Sequence, residues 1–210
     1  MINGADFRSA SLWKKDMIDV ADMTDQYLSL FEKFENLSGP GAWFVPVRKA
    51  AMARFMELGF PTTADEDWRF TNVASVAEKA FAAPKPASES GLAQLIEPLR
   101  IGSDVPLLVV INGRVSQKLS SIRTLPQGVR FGSLRQAMDQ EDRVIRSHLA
   151  RHARHMEHPF TALNTALFED GLFIEIAASA IVERPLHVIH ILTRGNGPQM
   201  ANTRNLVVCG

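Results

Sequence analysis

The sequence predicts an α+β protein, with an N-terminal helical region, a small α/β segment and a C-terminal series of short strands. Apolar residues recur at helical spacing over the first eighty positions. Further along, an aliphatic run precedes Asn112-Gly113, the usual chemistry of a two-residue hairpin. Short aliphatic segments with turns between them then follow at Leu172–Ile176, Leu186–Leu192 and Asn205–Val208. Such regular short strands suit a sandwich, a barrel or a solenoid, and periodicity alone does not choose among these.

Two amphipathic helices are predicted first, over Met17–Glu35 and about Val45–Leu58, separated by a break at residues 38–41. We expect the second helix to pack on the first. Its apolar stripe consists of Phe44, Val47, Ala51, Phe55 and Leu58. Its charged residues fall off that stripe and should face solvent: Arg48, Lys49, Arg54 and Glu57.

Residues 59–73 join a helix stop to an aromatic cluster. Gly59 and Pro61 are typical of a helix end. Thr63 and Glu66 have the spacing of a capping box, which predicts a new helix at once. Residues 68–70, Trp-Arg-Phe, are then expected to be a buried structural pin at this corner. The three successive acids at residues 65–67 would fan around that helix, so they do not predict a paired acid/base site.

The middle of the chain divides into short units. A short helix is predicted within residues 73–81, and the Pro- and Ser-rich residues 83–90 predict a flexible linker. Ser133 should cap a helix from Leu134, and a charged helix should span about Asp142–His155. The predicted organisation is a helical region at 1–82, the linker at 83–90, a hairpin and helices at 91–158, and a strand-rich core at 159–210.

Composition excludes several classes of protein. Lys plus Arg and Asp plus Glu both number 23, so no net positive field exists to attract a nucleic acid. No apolar run reaches the roughly 20 residues of a membrane span, and the first thirty residues do not resemble a secretory signal, which together predict a cytoplasmic protein. The single cysteine, Cys209, permits no internal disulfide and is expected to be a buried, inert thiol.

Histidines supply the main alternative hypothesis. His148, His152 and His155 would share one face of the predicted helix, as in a metal-binding protein or metalloenzyme. The Pro after His158 ends the helix, and four nearby arginines raise the positive potential, so a bound metal cation is disfavoured. We therefore prefer the interpretation that this is a basic helix face exposed to solvent. His187 and His190 point to opposite faces of one strand. Nucleotide-loop and serine-hydrolase motifs are absent, so we assign no catalytic, cofactor-binding or metal-binding residue.

Several segments, taken in order, are similar to those of a known family. Residues 59–73 resemble a signature of Gly-aromatic-Pro-Thr, an acidic pair and Trp-Arg-aromatic-Thr, although Ala64 replaces a common basic residue and Phe70 a common Tyr. Residues 107–114, 125–129 and 160–171 resemble the parts that follow. The chain thus resembles the SufB/SufD family of iron–sulfur cluster assembly scaffold subunits, specifically the N-terminal half of the SufD branch, because SufB does not usually carry this signature.

The resemblance implies a right-handed β-helix core beginning near residue 159 and a non-catalytic scaffold role. It implies partnership with SufB and with the SufC ATPase, iron or a cluster held transiently in the assembled complex, and a possible homodimer through the β-helix. No cofactor is expected in this chain itself. Since a solenoid rung does not bury its apolar face alone, we expect further rungs beyond Gly210 in a longer protein.

Overall fold

The computed structural model describes residues 20–36, 41–140 and 143–210, with side chains of the first helix from Gln26 to Glu35. It is a mixed α+β structure with two small sheets, which confirms the predicted class at that level. The helices are α1 (Val20–Asn36), α2 (Val45–Leu58), α3 (Ala74–Ala77), α4 (Leu92–Ile96), α5 (Leu134–Asp139), α6 (Arg143–His148) and α7 (Pro159–Leu167). The strands are β1 (Leu107–Ile111), β2 (Arg114–Val115), β3 (Val129–Ser133), β4 (Leu172–Ile176), β5 (His187–Ile191) and β6 (Leu206–Cys209).

Helix α2 has the predicted bounds. Pro46 lies in its first turn, and Gly59 ends it at φ 65°, with the Gly59 N–H donating to the Phe55 carbonyl at 2.8 Å. As predicted, α2 packs on α1, and it also packs on α7, which the sequence pattern did not indicate. The buried residues of this shared core are Tyr27, Phe31, Ala51, Met52, Phe55, Ala162, Leu163, Ala166 and Leu167.

The prediction that Arg48 faces solvent is wrong. Only 1% of Arg48 is exposed, while its neighbour Lys49 is exposed as expected. The apolar face of α2 is wider than its stripe of aliphatic and aromatic residues because α7 covers the helix on a second side.

The predicted capping box at Thr63 and Glu66 is also wrong. The Thr62 N–H donates instead to Asp65 Oδ2 at 2.7 Å, and only a 3₁₀ turn follows, at Glu66–Trp68. Trp68 is half-buried against Phe160, with ring centroids 5.2 Å apart. Phe70 is 94% exposed, so the buried pin does not include it. The sharp turn at Gly59–Pro61 is real, but the chain crosses the surface after it.

The hairpin is confirmed. Asn112 and Gly113 take φ values of 51° and 87° between β1 and β2, as a type I′ turn requires. Strands β2, β1 and β5 form one sheet and β3, β4 and β6 form the other. Within each sheet one pair is antiparallel, whereas β1 with β5 and β4 with β6 are parallel.

The chain passes back and forth between these sheets. From β4 it crosses to β5 in the other sheet and then returns to β6, which lies parallel to β4. The two sheets share an apolar core, which contains Leu108, Val110, Phe131 and Leu172 with Ile174 and Val188 beside them. One circuit of the chain therefore advances by one strand in a sheet, the step from which solenoids are built.

The remaining predictions have mixed outcomes. α3 forms within the predicted stretch, and the Ser133 hydroxyl accepts from the Gln136 N–H at 3.1 Å as the cap of α5. The charged helix α6 is shorter than predicted, because it ends at His148 and Ala150 takes φ 61°. The predicted start at Met17 and the break at residues 38–40 lie outside the described residues, as do residues 141–142. The mobility predicted for residues 83–90 stays a prediction.

Candidate functional site: the open strand edges and the junction behind them

Among the described residues each sheet has two edge strands, β2 and β5 in one sheet and β3 and β6 in the other. Strands β5 and β6 are paired on one side only, to β1 and to β4 respectively, and both of these pairs are parallel. An outermost strand carries main-chain N–H and C=O groups without strand partners, and these can pair with an added strand.

Exposed apolar side chains lie on or beside these edges, and His190 in β5 is exposed as well. Val207 in β6 is 55% exposed, and Leu192, just after β5, is 67% exposed. Neither strand contains Lys or Pro, the residues that commonly protect an edge from pairing. Cys209 is also exposed in β6, so the prediction of a buried thiol is wrong.

The junction between α7 and β4, residues 166–171, fixes the position of these edges. Asp170 is 4% exposed and accepts hydrogen bonds from four groups in three parts of the fold. They are the Val115 N–H at 2.9 Å, the Ser133 hydroxyl at 2.8 Å, the Arg135 N–H at 2.9 Å and the Gly171 N–H at 2.7 Å. One carboxylate thus joins β2, the start of α5 and the start of β4.

The same junction holds the segment leading into β6. The Arg204 N–H donates to the Asp170 carbonyl at 3.1 Å, and the Leu172 N–H donates to Asn205 Oδ1 at 3.0 Å. Gly171 takes φ 156°, and a Cβ there would lie 2.0 Å from the Arg204 carbonyl oxygen. A glycine is therefore required for β6 to approach β4 this closely.

Arg48 braces the other side of the junction. Its Nη1 donates to the carbonyls of Ala166, in the last turn of α7, and of Phe168, just after it, at 3.0 and 2.7 Å. Its guanidinium also lies over the rings of Phe168, Phe34 and Phe44, at 4.4 to 5.3 Å from their centroids. Burial lowers the pKa of Arg48 to about 10, which leaves it charged at neutral pH.

This role of Arg48 was missed from the sequence. The available signal was its position, because Arg48 lies one turn from both Phe44 and Met52 and thus beside the apolar stripe. The carbonyls that it serves are about 120 residues away in the chain, and a local pattern does not reveal them.

The histidines do not form the predicted helical face. His148 ends α6, and His152 follows the turn at Ala150. Their rings nevertheless stack, with His152 Nε2 3.5 Å from His148 Nδ1. His155 lies beyond that turn and is half-buried. Within residues 20–36, 41–140 and 143–210, no group of three or more His, Cys, Asp or Glu side chains is arranged to hold a metal ion.

Comparison with known families gives an identification. The model of the SufBD protein N-terminal region matches residues 21–188, most of the chain. The chain therefore belongs to the SufB/SufD family, and this membership associates it with the SUF system of iron–sulfur cluster assembly. No curated protein matches the chain. In the part of the chain that the structure describes, no helix is both long and apolar enough to cross a membrane.

Proposed function

We propose that the protein is a non-catalytic scaffold subunit of the SUF system, of the SufD branch, which works in a complex with SufB and the SufC ATPase. Its β-strands would be the first rungs of a right-handed β-helix. The family match supports the system, and the open parallel edges of β5 and β6 support the mode of assembly. The open edges are the observation on which the proposal rests. They allow a strand of a partner to pair with the main chain of β5 or β6, and this pairing requires no catalytic group.

The assignment to SufD within the family rests on residues 59–73. Their Gly-Phe-Pro-Thr and Trp-Arg-Phe-Thr elements resemble the SufD signature, which the N-terminal region of SufB does not usually carry. Several of these side chains are exposed, Phe70 most of all, so burial in this chain alone does not account for the signature.

The chemistry of the complex is assigned to its other parts. SufC would hydrolyse ATP, and iron or a cluster would be held transiently by the assembled complex. The protein would act in the cytoplasm and bind neither a nucleic acid nor a membrane. A homodimer through the β-helix would use the same edges that a SufB strand would use, so the two assemblies would compete.

The direct test is capture of SufB and SufC by the protein, with iron and ATP hydrolysis measured in each purified sample. We expect the protein to capture its partners, to retain no stoichiometric iron when purified alone, and to show ATP hydrolysis only when SufC is present. Failure of the protein to bind either partner, or ATP hydrolysis without SufC, would contradict the proposal.

A substitution on the edge tests the mode of assembly. Lysine at Val207 should oppose strand pairing, whether the added strand comes from SufB or from the same chain. We expect Val207→Lys in the full-length protein to lower either the melting temperature or the capture of SufB. Val76→Lys is the matched control, because Val76 is 38% exposed on α3. If Val207→Lys equals Val76→Lys in both measurements, this edge is not used.

A further inference from the structure

A pocket of about 650 Å³ lies between α1, residues 80–86 and the Asn112–Arg114 turn. This volume is within the range of small-molecule sites. Its floor is the outer surface of the helical core and consists of Leu30, Phe34, Phe81, Leu167 and Met200. Apart from the buried Leu167, these residues are only half-buried, so apolar surface remains accessible in the pocket.

The walls of this pocket are tied together by hydrogen bonds. The Met200 N–H donates to the Ala82 carbonyl at 3.0 Å, and the Ala82 N–H donates to the Pro198 carbonyl at 3.1 Å. Asn112 Nδ2 donates to the Lys85 carbonyl at 3.2 Å, and Gln26 Nε2 joins α1 to the Ala77 carbonyl at 3.3 Å. The cavity is thus built into the fold and does not need a ligand to form.

The rim of the pocket is positively charged. Lys33, Lys85 and Arg114 line it, against the single carboxylate of Glu169. In the described ranges no carboxylate lies within ion-pair distance of Lys33 or Lys85. Glu169 is already bonded to Nε of Arg114, which leaves the terminal guanidinium nitrogens of Arg114 for a ligand. This hydrogen bond raises the pKa of Arg114, so its charge is secure.

A further positive charge, besides the three on the rim, lies behind the floor of the pocket. The Arg48 guanidinium is 5.0 Å from the ring centroid of Phe34, which lines the pocket. Its Nε and Nη2 atoms are buried and have no hydrogen-bond partner among the described residues. A buried cation without a paired carboxylate favours negative charge nearby.

From the apolar floor, the fixed walls and the excess of positive charge, we propose that this pocket binds an amphipathic anion with one carboxylate or phosphate head and an apolar tail. The head would lie at Lys33, Lys85 and Arg114, and the tail would cover Leu30, Phe34, Phe81 and Met200. A neutral apolar ligand would leave the cationic rim without a partner, and a cationic one would be repelled by it.

Titration calorimetry on the full-length protein with decanoate, below its micellar concentration, tests this proposal. Decyl phosphate provides the second anionic head, while decanol and decyltrimethylammonium keep the tail and remove or reverse the charge. We expect saturable binding of both anions. Decanol and the cation should bind at least about five-fold more weakly, the scale of one partly exposed ion pair.

Two variants locate the site. Lys33→Glu should weaken decanoate binding about five-fold or more, whereas Lys118→Glu, the same change on an exposed lysine outside the pocket, should leave it unchanged. Ala83→Trp should reduce binding by filling the pocket from an exposed position. Absence of saturable binding, equal affinity for decanol, or equal effects of the two lysine variants would overturn the proposal. Capture of SufB and SufC is a separate measurement, so failure here leaves the scaffold proposal standing.

Discussion

Residues 166–171, which join α7 to β4, are almost all buried, whereas residues 62–70 lie almost entirely at the surface. The junction contains one aromatic residue, Phe168, and is held by the polar side chains of Arg48 and Asp170. The surface loop contains Trp68 and Phe70, yet its hydrogen bonds are local ones such as Thr62 to Asp65. The two aromatic residues of the loop predicted burial there, and the charged Asp170 and Arg48 predicted exposure at the junction.

The difference shows that burial in these two regions depends on how their main-chain N–H and C=O groups find hydrogen-bond partners. The junction changes direction between a helix and a strand, so its main-chain groups lack regular partners and need side chains to satisfy them. The loop meets the same need with local hydrogen bonds within short turns, such as Thr62 to Asp65. A conspicuous aromatic cluster can then remain exposed, as Phe70 does at 94%.

The largest effect is expected for Arg48→Ala. The change removes the donor to the Ala166 and Phe168 carbonyls and leaves a cavity among three rings, so it should cost about 4 kcal/mol of unfolding free energy. Arg48→Met fills most of that volume and should cost less than half as much. Urea denaturation measures both, with exposed Lys49→Ala as the control. A loss below about 1 kcal/mol for Arg48→Ala would show that the junction does not depend on it.

Asp170→Ala should have the second largest effect on the free energy of unfolding, about 3 kcal/mol. It leaves the buried Gly171 N–H and the half-buried Val115 and Arg135 N–H groups without this acceptor. The same denaturation experiment applies, and Asp104→Ala is the matched control. Asp104 is largely exposed and pairs with Arg184 at the surface, so its loss should cost under about 1 kcal/mol. Equal costs for the two aspartates would contradict the role of Asp170 as the hub of the junction.

Tyr27 gives a pH test of the core on which the junction rests. Burial raises the pKa of Tyr27 to about 12, so the neutral phenol stabilises the fold fully below the ordinary pKa near 10. This contribution, about 2 kcal/mol, should be lost as pH rises from about 10 through 12, and Tyr27→Phe should not show that loss. Tyr27 is the single tyrosine of the sequence, so phenolate absorbance reports it alone. If Tyr27 in the native protein titrates near pH 10, as it does in denaturant, this core is open to solvent.

The smallest effects on stability are expected in the surface loop, where the two aromatic residues can be compared. Trp68→Ala should cost about 1–2 kcal/mol, below the usual 3–5 for a buried Trp, since Trp68 is half-buried on Phe160. Phe70→Ala should change stability by less than about 0.5 kcal/mol. Thermal and urea unfolding measure both variants. A loss from Phe70→Ala equal to that from Trp68→Ala would mean that the loop is enclosed and that the comparison with the junction fails.

The sequence by itself determined those structural elements that depend only on neighbouring residues. The end of α2 at Gly59, the Asn112-Gly113 turn and the Ser133 cap each depend on neighbouring residues, so their chemistry could be read without the fold. The order of similar segments also identified the family before any geometry was known. Apolar periodicity gave the strands but not their partners, since a short aliphatic run is equally suited to several sheets.

Tertiary structure alone decided which polar groups are buried and which residues meet. Arg48 and the carbonyls of α7, or Asp170 and the backbone of β2 and α5, are separated by tens of residues or more, and a periodic pattern carries no information about such pairs. The exposure of Phe70 and the rim of the pocket at Lys33 and Arg114 were decided in the same way. Propensity acts over one turn of helix, whereas burial depends on which distant segment covers a side chain.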